Sequence, residues 1–360
     1  MTPEMHNNLF QPISLGALEL KNSIIMAPMT RDRAGPGDVP SDIMIEYYRQ
    51  RASAGLIVTE GTQPSREGKG YWRTPGIYSQ EQIDGWAKVA DAVHGEGGKI
   101  VMQIMHCGRV VVPDNRGYIA DVIAPSAISC SDPVPGPDGV PAPTAMPRAL
   151  AADELPALAE EFAQAARNAR AANIDGVELH CASGYLINQF LNPVSNLRDD
   201  NWGEGAAGRV RFPVMVLDAM AKAIGGDRVG FRISPGNPYN DMDVSDPEEI
   251  FVPLLNATDE LNLAYVHVVD MGLENLDTLA MIRQHWSGKI VTNNSLNAET
   301  ASEIIQSGRA DAVSFGRAFI ANPDLVNRIL SGAKLAKPDY AKLYTGEREG
   351  YIDYPVATIK

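Results

Sequence analysis

Three residues that can act on a carbonyl compound lie close together in the segment Val177–Leu191 of this 360-residue chain. An apolar run ends at His180, Ser183 follows three residues later and Tyr185 five residues later, on a turn around Gly184. The apolar face of a helix begins directly afterwards, so the three side chains are expected at the mouth of a strand. An imidazole and a hydroxyl can hydrogen-bond a carbonyl oxygen, and a phenol can deliver a proton beside it. The spacing therefore predicts polarisation of a carbonyl oxygen with proton transfer next to it.

The elements that must position these side chains are predicted by apolar runs that recur along the chain. Eight of the runs are continuous rather than alternating, as buried parallel strands are. The predicted strands are Ser23–Met26, Leu56–Thr59, Ile100–Met105, Gly176–His180, Val229–Ser234, Tyr265–Val269, Lys289–Thr292 and Ala312–Phe315. Helical patterns lie between them, so residues 1–360 are predicted to form one α/β domain, a (β/α)8 TIM barrel. An open doubly wound sheet is the alternative architecture.

The segments between and around the strands complete this prediction. The predicted helices are Glu81–His94, Ala152–Ala172, Arg209–Ile224, Pro247–Glu260, Thr278–His285, Ala298–Ser307 and Pro323–Ser331. Apolar residues alternate around a glycine over Phe10–Leu20, which predicts an N-terminal β-hairpin. The Pro- and Gly-rich segment from Asp132 to Pro147 lies between the third and fourth strands, and the strand–helix alternation resumes after it. We therefore predict a flap-like excursion over the C-terminal face.

The charge of the chain excludes some classes of partner. The formal net charge is −14, from 31 Lys and Arg against 45 Asp and Glu. Such an acidic protein is repelled by phosphate backbones and by anionic lipid surfaces, so neither nucleic acid nor a membrane is an expected partner. A small molecule is the expected partner, and the acidity is expected to keep a soluble surface dispersed.

The three cysteines, Cys107, Cys130 and Cys181, form no C-x-x-C pair and no metal-ligand cluster in the sequence. A sparse, odd count fits a reducing compartment. The segment Met1–Phe10 is polar and lacks the apolar region of a signal peptide. No run approaches the ~20 apolar residues of a membrane span. A cytoplasmic protein is therefore expected.

Polar residues that follow the predicted strands mark the expected site, because the C-terminal face of such a barrel holds the chemistry. The loops after strands seven and eight are the usual phosphate site of this fold, and here they contain Asn293, Asn294, Gly316 and Arg317. The strand ends contain no cluster of Asp, Glu and His with metal-ligand spacing. A phosphate-bearing organic cofactor is therefore expected there, and no metal.

Structural roles compete with functional ones at several of these positions. His106, between Met105 and Cys107, is expected to be a structural histidine, and Arg109 an anchor for a loop. Cys181 is expected to fill space, because a nucleophilic role needs a base partner. Met105 is interpreted as either core or pocket wall. Packing against the following helix is the alternative role for Tyr185.

With these residues located, the chain resembles the Old Yellow Enzyme family of FMN-dependent ene-reductases over nearly its whole length. The matching motifs begin with Met26–Arg31 and Glu46–Ile57. They continue with Gln103–Arg109, the strand-four motif, Ser314–Leu325 and Glu349–Pro355. These motifs lie in order at barrel positions, so the resemblance implies the barrel fold, bound FMN and reduction by NADPH or NADH. Thr30, where another branch has Cys, implies the branch of the yeast and enteric enzymes.

The resemblance also implies a role for each site residue. Thr30 would bond the flavin O4 edge, Gln103 would hold the pyrimidine edge, and Arg232 would lie near N1 and O2. The remaining flavin-binding positions are Pro28, Met29, Gly61, His180 and Phe315, with Asn293, Asn294, Gly316 and Arg317 at the phosphate. The substrate positions are Tyr71, Met105, His180, Ser183, Tyr185 and Tyr351.

The implied reaction is reduction of the activated C=C bond of an α,β-unsaturated carbonyl or nitro compound. His180 and Ser183 would bond the substrate oxygen and stabilise the charge that develops as hydride reaches the β-carbon. Tyr185 would then supply the proton to the α-carbon from the opposite face. The expected assembly is a monomer or a homodimer.

Two residues depart from the family pattern. Ser183 stands where the family has His or Asn, so its shorter side chain leaves the second oxygen donor in question. Met105 stands where the family has Trp, which exchanges a rigid wall for a flexible one. A specialised biosynthetic or isomerising flavoenzyme is therefore one alternative, and a catalytically weakened flavin-binding module is another.

Overall fold

Eight parallel strands close into a barrel in a computed structural model that describes residues 3–357, with the side chains of residues 3–5 left out. The strands, called barrel strands one to eight below, are Ile24–Met26, Leu56–Val58, Ile100–Ile104, Gly176–His180, Val229–Ile233, Tyr265–Val269, Ile290–Asn293 and Ala312–Phe315. Every residue of the first five is buried, which explains their continuous apolar sequences. Strand eight pairs with strand one and closes the ring, so the barrel prediction is confirmed and the open sheet is excluded.

The predicted N-terminal hairpin is present as the antiparallel strands Ile13–Leu15 and Leu18–Leu20. Gly16 at its turn has a φ of +56°, and a Cβ there would lie 2.2 Å from the carbonyl oxygen of Asp227. The apolar side chains of the hairpin pack with Ile25, Leu56 and other strand residues in one buried cluster. The hairpin therefore covers the N-terminal end of the barrel, opposite the face where function is expected.

Eleven helices surround the barrel within residues 3–357. They are Asp42–Gln50, Gln80–Gly95, Leu155–Ala171, Leu186–Leu191, Gly205–Arg209, Arg211–Ile224, Pro247–Thr258, Thr278–His285, Ala298–Gln306, Arg317–Ala321 and Leu325–Ser331. The seven predicted helices all appear, and the last begins at Leu325 because Asn322 and Pro323 interrupt the helical backbone. The additional helices are mostly single turns, whose few residues produce no clear periodicity.

The flap leaves barrel strand three and returns at the helix Leu155–Ala171. It contains the antiparallel pair Val134–Pro135 and Pro141–Ala142 and the parallel pair Ile123–Ala124 and Arg148–Ala149. Its side chains reach the loop after barrel strand five, which places the flap at the C-terminal end of the barrel as predicted.

The flap and that loop are joined by a cluster of hydrogen-bonded side chains. Potential ligand atoms of Cys130, Asp132 and Asp241 lie within 4.8 Å of one another, although Asp241 is distant from the other two in the sequence. The side chain of Asp132 accepts a hydrogen bond from the Asn240 amide, Asp241 accepts two from Ser131, and burial raises the pKa of Cys130 to about 11. These bonds define the cluster as a latch between flap and loop. No helix within the described residues is long and apolar enough to cross a membrane.

Candidate active site

The imidazole of His180 lies at the C-terminal end of barrel strand four, where strand pairing aligns it with Arg232 of strand five. Its Nδ1 accepts a hydrogen bond of 3.2 Å from the backbone amide of Ala182. Burial and the Arg232 cation lower the pKa of His180 to about 3, so the ring is neutral. Its one proton is therefore on Nε2, which bonds to no group within residues 3–357. This leaves one N–H donor facing a ligand.

The phenol of Tyr185 stands edge-on against this imidazole, with ring centroids 4.9 Å apart and planes at 78°. The hydroxyls of Tyr185 and Tyr71 lie 2.9 Å apart. Burial raises the pKa of both phenols, while the bond between them acts to lower that of Tyr185 and to raise that of Tyr71. Either hydroxyl can be the donor of this bond.

Ser183 is held on the turn in a left-handed backbone conformation, with a φ of +55°. Its amide donates to Ser234 Oγ at 3.0 Å, and its carbonyl accepts from Asn240 Nδ2 at 2.7 Å. Its own hydroxyl oxygen accepts from Asn237 Nδ2 at 3.4 Å. The residue is therefore anchored to the loop after strand five, while the hydroxyl proton is unused within the described residues.

The turn that presents these groups is fixed by close packing. Gly184 has a φ of +75°, and a Cβ there would lie 2.5 Å from that of Asn240. The Gly184 amide donates to Asn188 Oδ1 at 2.9 Å. Gln189 Nε2 donates to the carbonyls of Gly184 and Cys107, at 2.7 and 3.1 Å. These bonds tie together the ends of strands three and four.

The wall beside the phenols is apolar. Met105 is 5 % exposed, and a Cβ on Gly61 would lie 2.6 Å from its Cε atom. Glycine at position 61 therefore makes room for the Met105 side chain. Met105 belongs to a buried cluster that also contains Cys107, Val110, Val111, Val112, Cys130, Val134 and Tyr185, with Tyr71 packed against it.

Arg232 contributes a buried cation that is only partly satisfied. Its Nη2 donates to Asn293 Oδ1 at 2.9 Å, whereas Nη1 is buried and has no partner within residues 3–357. Asn293 Nδ2 in turn donates to the Ser314 carbonyl at 2.9 Å, so strands five, seven and eight are linked. Leaving a buried charged donor unpaired is costly, so Nη1 indicates the position of a ligand acceptor.

A carboxylate that the sequence analysis did not single out lies inside the barrel beneath these groups. Glu178 is fully buried and accepts hydrogen bonds from Gln103 Nε2 at 2.8 Å, Tyr265 OH at 3.1 Å and His267 Nδ1 at 2.8 Å. The Nε2 of His267 lies 2.7 Å from Ser314 Oγ. An acidic residue inside an otherwise apolar strand was the sequence signal for this network.

The ends of strands seven and eight offer polar groups to an anion. Asn294 adopts a φ of +116°, and its Nδ2 donates to the Asp270 carbonyl at 2.8 Å. Next to it is a cavity of about 250 Å³ lined by Asp270, Met271, Gly272, Thr292, Asn293, Asn294, Ser295, Leu296 and Ile304. Phe315 is buried, and the exposed guanidinium of Arg317 has no hydrogen bond or ion pair within the described residues. Of the four residues predicted at the phosphate, Asn293 and Asn294 line this cavity, whereas Gly316 and Arg317 do not.

The C-terminal end of barrel strand one lies beside the end of barrel strand eight. Pro28, Met29 and Thr30 are half-buried, and the Thr30 hydroxyl has no partner within residues 3–357. The Met29 sulfur would lie 3.4 Å from a Cβ on Gly316, so this segment reaches the end of strand eight. The structure thus brings the predicted cofactor positions of strands one and eight to one place.

Tyr351 does not lie at the C-terminal opening of the barrel, although it was predicted as a wall of the substrate pocket. It has no exposed surface, and its ring stacks on Tyr47 at 4.1 Å between centroids. The guanidinium carbons of Arg31 and Arg33 lie 5.1 and 4.9 Å from its centroid. This cationic stack holds Tyr351 in the core, where it fixes the C-terminal segment.

Two tyrosines that the sequence analysis missed are better placed than Tyr351 to line a substrate pocket beside Tyr185. Tyr239 and Tyr344 are 51 % and 57 % exposed, and both act electrostatically on Tyr185 to raise its pKa. They come from the loop after strand five and from the C-terminal segment. No pattern in the sequence marks either one, because both lie in irregular segments.

A pair of buried carboxyl groups adjoins the ends of strands one and two. Glu60 Oε2 accepts from the Arg31 amide at 3.2 Å, while its Oε1 and Asp32 Oδ1 have no partner within the described residues. Burial raises the pKa of Glu60 to about 7, and burial together with Glu60 raises that of Asp32. Burial therefore favours the protonated form of both carboxyl groups.

The residues for which structural roles were expected take such positions. His106 Nδ1 accepts from the Gly108 amide, and its ring lies near Phe162 of an outer helix. Arg109 donates to the carbonyls of Ser129 and Asn240. Cys181 is fully buried, which raises its pKa and leaves the thiol inert.

A barrel with a neutral imidazole, a phenol and a partly unpaired buried arginine at its C-terminal face is compatible with the class of flavin-binding barrel oxidoreductases. The sequence profile of the NADH:flavin oxidoreductase / NADH oxidase family matches residues 8–336. The chain belongs to this family.

Individual relatives agree with this membership. The chain is 41 % identical over 354 residues to a probable flavin mononucleotide-dependent alkene reductase of Leishmania infantum, covering 96 % of this chain and 97 % of that protein. The old yellow enzyme homologue from Zymomonas mobilis superposes with a TM-score of 0.93 at 39 % identity, covering 97 % of this chain and all of that one (100 %). Morphinone reductase in complex with tetrahydroNAD gives a TM-score of 0.92 at 40 % identity, with 97 % and 98 % covered. The chain is thus an Old Yellow Enzyme family member of the FMN-dependent, NAD(P)H-linked alkene reductase class.

Proposed function

We propose that this chain reduces the C=C bond of small α,β-unsaturated carbonyl or nitro compounds, with His180, Ser183 and Tyr185 as the groups that act on the substrate. The observation that supports this most directly is the proximity of two donors at the C-terminal face of the barrel, the His180 Nε2–H and the Tyr185 hydroxyl. Their rings are 4.9 Å apart, so a bound carbonyl compound contacts both.

The residues at the strand ends fit FMN. The unpaired Nη1 of Arg232 suits the electron-rich N1 and O2 edge of a flavin, and Gln103 is held beside it by Glu178. Thr30 offers a free hydroxyl, as the Thr-containing branch of the family does. Pro28, Met29, Gly61, His180 and Phe315 complete the ring site, with Asn293, Asn294, Gly316 and Arg317 at the phosphate. Bound FMN supplies the hydride, which it takes from NADPH or NADH.

The substrate oxygen is proposed to accept from His180 Nε2, because its neutral ring has one proton and no other partner. Ser183 Oγ already accepts from Asn237, so its one proton is free to be the second donor. These donors stabilise negative charge as it develops on the oxygen, and one such donor is worth about 3 kcal/mol.

Tyr185 is proposed to protonate the α-carbon. When Tyr71 is the donor of the bond between the two hydroxyls, the Tyr185 proton is available to the substrate and Tyr71 stabilises the phenolate that is left. Tyr71, Met105, Tyr239 and Tyr344 are proposed to line the substrate, with Met105 as the flexible part of the wall.

The remaining proposals concern the molecule as a whole. Residues 1–360 are proposed to act as a single FMN-binding domain in the cytoplasm, as a monomer or a homodimer. Three free, buried cysteines are consistent with a reducing compartment.

The test begins with the purified protein. It is expected to be yellow and to release FMN on heating, and NADPH oxidation is expected to accelerate with 2-cyclohexenone. A colourless protein that FMN does not reconstitute would refute the proposal. A yellow protein whose reduced flavin is not reoxidised by any enone or nitroalkene would instead indicate the weakened binding module.

A further inference from the structure

Glu178 is the centre of a buried hydrogen-bond network that joins barrel strands three, four, six and eight. Its carboxylate receives donors from Gln103 on strand three and from Tyr265 and His267 on strand six. Gly230, its pairing neighbour on strand five, makes room, because a Cβ there would lie 2.5 Å from the Tyr265 ring. The network is therefore built around this one side chain.

The charge state of the network follows from its bonds. Burial acts to raise the pKa of Glu178, but His267, Arg232 and the donated hydrogen bonds outweigh it and hold that pKa below its usual range. Burial and the Arg232 cation lower the pKa of His267. His267 Nδ1 donates to Glu178, and its Nε2 lies within hydrogen-bond distance of Ser314 Oγ. Glu178 is the anion of the network.

This anion faces the cation of the flavin site. Glu178 lies two residues before His180 on strand four, and Arg232 lies opposite His180 and His267 on the flanking strands. The Glu178 charge acts to raise the pKa of Arg232, although no hydrogen bond joins the two side chains. Arg232 therefore interacts electrostatically with the Glu178 charge, and its Nη1 has no hydrogen-bond partner within residues 3–357.

We propose that Glu178 is a positioning residue that offsets the Arg232 charge beneath the flavin and orients the Gln103 amide toward it. This inference rests on the proposed function, because it concerns the affinity of the same site for oxidised and reduced FMN. Reduced FMN bears a negative charge near N1, so an anion close to Arg232 weakens the binding of the reduced form more than that of the oxidised form. Glu178 thus lowers the two-electron potential of bound FMN, so the reduced flavin donates hydride more readily.

The test is the flavin midpoint potential of Glu178→Gln, an isostere that removes the charge. The ratio of affinities for reduced over oxidised FMN is expected to rise at least tenfold, which equals a rise of about 30 mV in the two-electron potential. Glu178→Asp retains the charge and is the matched control, with a ratio within about twofold of the unmodified protein. An unchanged potential in Glu178→Gln, or an equal shift in Glu178→Asp, overturns the inference.

A second pair of variants covers the case in which Glu178→Gln does not fold because Arg232 is left uncompensated. Arg232→Gln and the double variant Glu178→Gln/Arg232→Gln are then compared, and the double variant is expected to have the higher potential by a similar factor. Equal potentials in these two variants refute the role of Glu178. An unmodified protein that binds no FMN refutes the proposed function instead, so the two failures are distinguishable.

Discussion

The hydrogen bond between Tyr71 and Tyr185 predicts a graded loss of protonation when either hydroxyl is removed. Tyr185→Phe deletes the proposed acid, and general acid catalysis contributes ~10²–10⁴-fold. Tyr71→Phe leaves the acid but removes a buried 2.9 Å bond to the phenolate that forms. A hydrogen bond to a charged group is worth about 1.5–3 kcal/mol, so with about half of the charge developed the loss is roughly 0.8–1.5 kcal/mol, or about 4- to 12-fold.

The assay is stopped-flow absorbance of the two half-reactions. The rate at which 2-cyclohexenone reoxidises the reduced flavin is expected to fall by the amounts given, in the order Tyr185→Phe far more than Tyr71→Phe. The rate at which NADPH reduces the flavin needs no proton donor, so it serves as the internal control and is expected to change less than twofold. Equal losses in both half-reactions would mean that the variants disturb cofactor placement. A larger loss for Tyr71→Phe than for Tyr185→Phe would make Tyr71 the acid.

Three further changes test other parts of the site. Ser183→Asn is expected to raise kcat/KM for 2-cyclohexenone about tenfold, because Asn tolerates the left-handed φ of +55° and its longer side chain reaches farther toward the substrate oxygen. No gain would show that the serine hydroxyl is already an adequate second donor to that oxygen. Met105→Trp is expected to raise KM for bulky enones about tenfold and to leave KM for small enones unchanged, because Met105 already fills the space above Gly61. Equal effects on bulky and small enones would refute the role of Met105 as a wall of the substrate pocket. Burial raises the pKa of Glu60 from its ordinary value of 4.5 to about 7 in the folded protein. Between pH 4.5 and 7 the folded state therefore keeps a proton that the unfolded state loses. The free energy of unfolding falls as the pH rises through this window. Urea unfolding at pH 5 and pH 8 should show a loss of up to about 3 kcal/mol that Glu60→Gln removes; an identical pH dependence in the variant would contradict this assignment.

The barrel itself was predictable because its strands are short, fully buried runs. In Gly176–His180 and Val229–Ile233 every residue is buried, so the apolar pattern and the strand coincide. The prediction failed where a residue's surroundings come from distant segments. Tyr351 was expected at a wall, but Tyr47, Arg31 and Arg33 enclose it. Single-turn helices such as Gly205–Arg209 were missed because five residues show no period.

The sequence by itself determined the order of strands and helices, and therefore which side chains lie at the C-terminal face. It also determined the local turn of His180, Ser183 and Tyr185, since three residues so close in the chain share one loop in any barrel. Only the tertiary structure decided the state of these groups. It made His180 a neutral donor, paired Tyr71 with Tyr185, and surrounded the Glu178 charge with groups from three other strands. The physical reason is that hydrogen-bond partners and burial, which set charge and tautomer, come from residues far apart in the chain.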